Sequence, residues 1–225
     1  LTRHPHRFSP GELEILTSFG SQAAIAIENA RLFGEAERRE RAAESLAEVG
    51  RLISQSLDLE EVGQQIADSV RTLLGTQVSA LFRLEPESGN LVALAVSGDA
   101  GLGEDQPLVL SPGMGLGALA LRERRPVATP DLLSDCSVVL APEARARIEP
   151  TPCHAALAVP LLVKDTVIGA LVVRDTTGRV FSEEQIRLAQ AFADHAAVAL
   201  ENTRLHGETV RRVADQAALL RLTQA

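Results

Sequence analysis

The chain contains no tryptophan and no tyrosine, and only six phenylalanines. Four of those, Phe8, Phe19, Phe181 and Phe192, belong to one repeated segment, so little aromatic surface remains to stack on a nucleobase or a tetrapyrrole. Its two cysteines, Cys136 and Cys153, are too few for a disulfide framework and lack the CxxC spacing of a zinc site. A reducing cytoplasm is the expected setting. Histidine is also scarce: apart from His4-Pro5-His6, the five histidines show no HxH or HxxxH spacing, and no metal or other cofactor is expected. Basic residues are outnumbered, 22 Lys and Arg against 30 Asp and Glu, for a net charge of −8 and no dense cationic stripe. Nucleic acid and anionic membrane surfaces are therefore poor partners. No apolar run reaches the roughly 18 residues that mark a membrane span. The first residue is not Met and no signal-peptide pattern follows, so the chain reads as a piece cut from a longer one.

What the sequence does have is a segment that occurs twice. Phe181-Ser182-Glu183-Glu184-Gln185, leading through Ala196-Ala197-Val198-Ala199-Leu200-Glu201-Asn202 to Arg211-Arg212, repeats Phe8-Ser9-Pro10-Gly11-Glu12, leading through Ala23-Ala24-Ile25-Ala26-Ile27-Glu28-Asn29 to Arg38-Arg39, at an ungapped offset of 173 residues. Each copy opens on a Ser N-cap with Glu12 or Gln185 three positions on, which predicts a reciprocal capping box. Pro10 suits the first helical position, where its missing N–H costs nothing. Apolar or small residues then recur at steps of three and four: Leu13, Leu16, Gly20, Ala23, Ile27 in the first copy, and Ile186, Ala189, Ala193, Ala196, Leu200 in the second. The first helix is expected to run on through Leu46, Val49, Ile53 and Leu57, since residues 35–47 contain neither Gly nor Pro. Leu219 and Leu222 stand one period beyond Leu46 and Val49. The expected organisation is residues 1–40 as the last helix of an upstream unit, 41–208 as a complete domain, and 209–225 as a helix into a truncated downstream unit.

Between the repeats helix and strand signals alternate. Asp58 with Glu61 opens a helix over Val62, Ile66, Val70 and Leu74 that Gly75 ends. Val78–Leu84 and Leu91–Val96 read as a hairpin, Leu108–Leu110 as a short apolar piece, and Gly113–Gly117 as the start of a helix lasting to Arg125-Pro126. One helical turn is expected near Glu143–Arg147. Ala155–Val163 and Thr166–Val173, joined by Lys164-Asp165, are nearly continuous apolar runs, as in strands covered on both faces.

The run Leu157-Ala158-Val159-Pro160-Leu161-Leu162-Val163-Lys164-Asp165-Thr166-Val167-Ile168-Gly169-Ala170-Leu171-Val172-Val173, with Phe181-Ser182 and the Ala-rich helix ending Leu200-Glu201-Asn202, resembles the GAF domain. Ser56–Val62 is similar to the lead-in of that family's second helix, and Gly113 to Asp131, with Arg125-Pro126-Val127, to its mid-domain helix and following strand. The resemblance covers residues 42–208. It implies an α+β fold: an antiparallel sheet of five to six strands, with the N- and C-terminal helices on one face and a small-molecule pocket among short helices and loops on the other. It also implies a sensory, dimerising, non-catalytic role in a cytoplasmic signalling protein such as a sensor histidine kinase. The alternatives are a structural relay without ligand and a free methionine sulfoxide reductase-like enzyme, for which two cysteines are few.

Candidate sites follow from these readings. Cys153-His154 resembles the Cys-His pair of bilin-binding GAF photoreceptors, but here the pair abuts the sheet hairpin, and neighbouring strand residues point to opposite faces, which opposes a thiolate–imidazole dyad. Gly113-Met114-Gly115-Leu116-Gly117 lacks full GxGxxG spacing and reads as turn geometry and close packing. His195 and His206 correspond to Gln22 and Phe33 one period earlier, so neither is required by the helix. The Asn-Lys-Phe-Asp-Glu signature of cyclic-nucleotide-binding GAF domains is absent. The resemblance places a ligand pocket among Leu81–Arg83, Met114–Leu121, Asp131–Val139 and His154–Ala156, with Arg83, Met114, Asp135, Cys136 and His154 as its expected contacts. Leu46, Val49, Ile53, Ala196, Leu200 and Leu205 are the expected residues of a homodimer's helices.

Overall fold

The computed structural model of the chain describes residues 8–55, 58–99 and 108–223, with side chains described over 8–51, 58–99 and 108–205. Ile53, Leu57, His4, His6, His206, Leu219 and Leu222 therefore lie outside the described side chains. Residues up to Ala43 form one compact unit and residues from Glu44 another.

The first unit is helical. Helix α1 runs Pro10–Gln55, 46 residues, unbroken through Gly11, Gly20, Gly34 and Gly50. Its start is the expected capping box: Ser9 Oγ accepts from Glu12 N at 3.3 Å while Glu12 Oε2 accepts from Ser9 N at 2.7 Å. Ion pairs along the helix join Arg31 to Glu28 and Glu35, and Arg41 to Glu37.

The second unit holds the sheet. Helix α2, Leu59–Leu74, is opened by Asp58, whose carboxylate accepts from Glu60 N and Glu61 N, and closed by Gly75 in the left-handed conformation. Val62, Ile66, Ala67, Val70 and Leu74 make its buried stripe. Strands β1 (Val78–Leu84) and β2 (Leu91–Ser97) form a hairpin, and β3 (Val109–Leu110) pairs with β2. Helix α3 (Gly115–Glu123), strand β4 (Val127–Thr129) and helix α4 (Pro142–Ile148) precede the long hairpin of β5 (Ala155–Val163) and β6 (Thr166–Asp175). Helix α5, Glu183–Thr223, closes the chain and repeats the α1 cap, with Ser182 Oγ accepting from Gln185 N at 3.2 Å and Gln185 Oε1 from Ser182 N at 3.0 Å.

The six strands form one antiparallel sheet in the order β3-β2-β1-β6-β5-β4. The expected α+β architecture is what the chain adopts. Helices α2 and α5 pack on one face, and α3 on the other. On the helix face Ile66, Val70, Leu81, Leu157, Val159, Leu171, Val173 and Phe192 are buried together with the Ala189–Leu200 stretch of α5. Alanines at 193, 196 and 197 let α5 sit low on the sheet, so its backbone, and not long side chains, fills the space. On the other face Leu116, Leu119, Ala120, Val127, Leu132, Val138, Ile148, Ala156 and Ala158 form a second, smaller core.

Several boundaries differ from expectation: β2 runs on to Ser97 and β3 begins at Val109. Helix α3 stops at Glu123, because Arg124 turns left-handed at φ 54°, two residues before the Arg125-Pro126 stop. Strand β6 continues to Asp175, since Arg174 and Asp175 still pair with Ala156 and Ala155.

Candidate functional site

Period-two alternation decides which residues meet on the face opposite α2 and α5. In β1 they are Val78, Ala80 and Phe82; in β6, Ala170, Val172 and Arg174; in β5, Ala156 and Ala158. The register ties them together: Val78 stands opposite Arg174, Ala80 opposite Val172, Arg174 opposite Ala156. Small side chains on this floor leave room above it. Helix α3, its preceding turn and helix α4 roof the space, and a cavity of about 330 Å³ lies between. That volume is at the small end of ligand pockets, which run roughly 300–1,000 Å³.

The Gly113–Gly117 turn builds one wall. Gly113 and Gly115 take positive φ, 73° and 80°, and Gly115 N donates to Val139 O at 2.7 Å, joining the turn to the loop before α4. A Cβ on Gly117 would stand 3.2 Å from Leu91 Cδ1 and 3.5 Å from Val172 Cγ2, so α3 owes its close seat on the sheet to that glycine. The structural reading of this motif holds, and two of its N–H groups, those of Met114 and Gly115, donate to the carbonyls of Ser111 and Val139.

Among the described residues the lining is apolar apart from Ser111, Glu143, Arg147 and Arg174. Arg147 and Glu143 lie one turn apart on α4, and Arg174 rises from the sheet floor. Burial lowers the Arg174 pKa from its usual value, and nearby Arg147 acts in the same direction; the negative charge of Asp99 opposes the shift.

Of the expected contacts, Met114 lines this cavity. Phe82, Leu116, Gly117, Leu132 and Ala156, within the expected segments, do so too. Arg83 does not: it follows Phe82 on β1 and so projects from the other face, into an open groove with Leu59, Glu85, Lys164, Glu201 and Arg204. Asp135 holds its own loop, its carboxylate accepting from Ser137 N at 2.9 Å and Ser137 Oγ at 2.6 Å, and those bonds lower its pKa. Cys136 is exposed on the same loop and Cys153 is half-buried ahead of β5. His154 stands behind the wall, with Nδ1 3.5 Å from Asp131 Oδ1 and a buried Nε2 that meets no hydrogen-bond partner among the described residues. Asp131 in turn accepts from Leu133 N at 2.9 Å, the leading cause of its lowered pKa. None of Asp135, Cys136, Cys153 and His154 is among the residues lining the cavity.

Ser111, Glu143, Arg147 and Arg174 are the polar lining residues that fall outside the expected segments. For Arg174 a signal was present: it is a lone cation ending an apolar strand, in step with Val172 and Ala170. Arg147 carried none, because α4 has no marked periodicity and its seat over the sheet is a tertiary fact.

The expected helix seam is also redistributed. Val49 and Ala196 are fully buried and Leu200 nearly so, all within the protomer's own core, with Leu46 packed against it. Those side chains are not surface for a partner helix. Among the described residues of α5 the large outward apolar side chains are Val198 and Leu205, seven positions apart and 52% and 47% exposed.

Among the described residues no helix is long and apolar enough to cross a membrane. Solved structures of similar shape include the GAF domain of a phosphoenolpyruvate-protein phosphotransferase from Coxiella burnetii, at TM-score 0.64 and 21% identity, covering 75% of this chain and 98% of that one. A free methionine-R-sulfoxide reductase from Neisseria meningitidis in complex with its substrate aligns at TM-score 0.60 and 15% identity, covering 73% and 91%. A GAF domain/HD domain protein from Geobacter sulfurreducens aligns at TM-score 0.55 and 23% identity, covering 68% and 98%. At these identities the likeness establishes the fold. The GAF domain family model matches residues 56–201, well over half of the sequence, and the chain belongs to the GAF domain family.

Proposed function

We propose that this chain is a non-catalytic sensory and regulatory module of a cytoplasmic signal-transduction protein, with a sensor histidine kinase as the expected parent. It takes a small molecule into the cavity and acts as a homodimer through its long helices. The cavity carries this reading: about 330 Å³ of space, walled mainly by apolar side chains and bearing a few charged groups. The strands under it suit relay. Ala156, Val172 and Arg174 face the cavity, while their neighbours Leu157, Leu171 and Val173 pack in the core shared with α5. A ligand that biases β6 thus bears on α5 across the thickness of one sheet, and packed helices settle into few alternative positions.

The tandem arrangement belongs to the same proposal, with residues 1–40 as the last helix of an upstream unit, 41–208 as the complete domain and 209–225 leading onward. Its support is a residue-by-residue contrast. Phe192, Ala193, Ala196 and Leu200 of α5 are buried on the sheet, whereas their counterparts Phe19, Gly20, Ala23 and Ile27 of α1 are exposed. A helix with the side chains of a sheet-packing helix is expected to have a sheet of its own.

A thermal-shift screen with nucleotides, amino acids and aromatic acids tests the sensory reading. A ligand at a hundred times its Kd adds about 2.7 kcal/mol to stability. Reproducible stabilisation by one class supports sensing; none from any class leaves the structural relay without ligand.

A further inference from the structure

We propose that a second copy of the chain docks along one narrow stripe of helix, Val198-Asn202-Leu205 on α5 and its counterpart Ile25-Asn29-Leu32 on α1, parallel and in register, so that each asparagine meets the same asparagine of the other copy. This rests on the homodimer reading above and adds the surface, the direction and the residue that sets the register.

The repeat separates two kinds of exposed side chain on α1. Leu16, Phe19 and Ile27 correspond, 173 positions on, to Ala189, Phe192 and Leu200, which are buried in the core that α5 shares with the sheet. Ile25 and Leu32 correspond instead to Val198 and Leu205, which α5 leaves outside although Ala197, Ala199 and Leu200 beside them are buried. A sheet seated on α1 as one is seated on α5 would leave Ile25 and Leu32 outside too; they are 61% and 49% exposed. Each copy of the repeat thus carries a second apolar face, distinct from the one a sheet takes.

Between the two apolar residues each copy has the same polar one. Asn29 and Asn202 are both exposed, four positions after the first apolar residue and three before the second. That step is the step of a two-helix seam with asparagine at one core position, an arrangement that selects register and oligomer state. A two-fold axis running along paired parallel helices sets every layer against itself. Asparagine suits such a layer, because its amide is donor and acceptor at once and two identical side chains can hydrogen-bond, whereas two identical charges repel. The charges flanking the stripe are engaged along their own helix in both copies, Arg31 with Glu28 at 2.6 Å and Arg204 with Glu201 at 2.7 Å. The stripe itself holds none, which fits a copy of itself better than a partner chosen by charge. An antiparallel pair would set Val198 against Leu205 instead.

The test is disulfide formation under mild oxidation in the 225-residue chain carrying Cys136→Ser and Cys153→Ser, with one cysteine added per variant: Ile25→Cys, Val198→Cys, Asn202→Cys or Leu205→Cys on the stripe, and Arg204→Cys off it. We expect each stripe variant to crosslink to itself at least about ten-fold faster than Arg204→Cys, because paired layers of a parallel seam hold the two thiols within bonding reach at a high effective concentration. Asn202→Asp should raise the dimer Kd at least about ten-fold by sedimentation equilibrium, since like charges then face each other. The exposure of Asn202 keeps the protomer folded in that variant. Val198→Cys and Leu205→Cys that crosslink only when mixed would reveal an antiparallel pair and overturn the proposal. A dimer whose stripe cysteines react no faster than Arg204→Cys, or whose Kd ignores Asn202→Asp, also overturns it while leaving the homodimer reading in place. A parent that is monomeric at all concentrations overturns both.

Discussion

Arg179 Nη2 donates to the carbonyl of Leu74 at 2.6 Å, and its Nη1 to the carbonyl of Gly75 at 2.8 Å. A residue from the turn before α5 thus caps the C-terminus of α2 across more than a hundred positions of chain. The last carbonyls of a helix carry partial negative charge and lack partners within the helix, so a guanidinium is a suitable cap. The same side chain pairs with buried Asp175 and lies 5.2 Å from the centroid of the Phe181 ring. One arginine therefore joins α2, the end of β6 and the residue that leads into α5.

Arg179→Ala should lower the urea-unfolding free energy by about 2–3 kcal/mol, because it strands the Asp175 carboxylate and two helix-end carbonyls; the partial exposure of Arg179 keeps the loss below that of a fully buried pair. Arg179→Lys should recover less than half, since an ammonium cannot serve both carbonyls and the carboxylate in one plane. Equal stability of all three proteins would show that the cap contributes nothing.

The repeat offers a matched pair. Ala23 and Ala196 occupy the same place in nearly the same local sequence, yet Ala23 is exposed and Ala196 is fully buried. Ala23→Leu should change stability by no more than about 0.5 kcal/mol. Ala196→Leu forces methylenes between α5 and the sheet and should cost about 1–3 kcal/mol. The comparison is read from urea midpoints, and a reversed order would refute the packing described for α5.

Gly169 sits where β6 crosses closest to β1. A Cβ placed there would lie 2.1 Å from Phe82 O, a backbone atom that cannot swing away. Gly169→Ala should cost about 3 kcal/mol or prevent soluble expression, whereas Gly117→Ala, opposed by the flexible tip of Leu91, should cost about 1 kcal/mol. Thermal denaturation of both variants checks the ranking.

Acid should loosen the loop that Asp131 and Asp135 hold. Asp131 and Asp135 both have lowered pKa values, the first chiefly through the backbone N–H of Leu133 and the second chiefly through the Ser137 hydroxyl. A folded-state pKa below the unfolded value means that the stabilisation is complete above the unfolded value of about 3.8 and is lost as pH falls through the folded one. Urea midpoints measured from pH 5 down to pH 2 should fall for the parent, and fall less for the variant carrying both Asp131→Asn and Asp135→Asn. Parallel curves would contradict this assignment.

The homodimer proposed above has its testable surface on α5. Val198→Glu with Leu205→Glu should convert a dimer to a monomer in multi-angle light scattering while leaving the melting temperature of the protomer nearly unchanged, because both side chains are exposed. A parent that is monomeric at all concentrations would exclude dimerisation by this chain.

Most of the fold was legible because its signals are local. Ser9 with Glu12 and Ser182 with Gln185 specify helix starts by side chains within three residues of each other, and both boxes form. The Ala155–Val163 and Thr166–Val173 runs specify strands by composition, and Lys164-Asp165 turns between them. The family followed from the order of such segments. Within the site, Met114 was expected because the resemblance places Met114–Leu121 at the pocket, and it lines the cavity. Arg83 was expected because the resemblance places the segment Leu81–Arg83 at the pocket, and one residue's difference along a strand, from Phe82 to Arg83, carries it to the opposite face.

The chain by itself determined the elements and the kind of domain, since caps, glycines and apolar periods act over a turn or two of backbone. Only the tertiary structure decided which side of each strand faces the cavity, that Arg174 and Arg147 line the same cavity, and that Val49, Ala196 and Leu200 are used up in the protomer's own core. The reason is that a stripe of small apolar residues specifies burial without specifying against what. Ala23 and Ala196 carry the same local signal, and the sheet beneath one of them makes the difference.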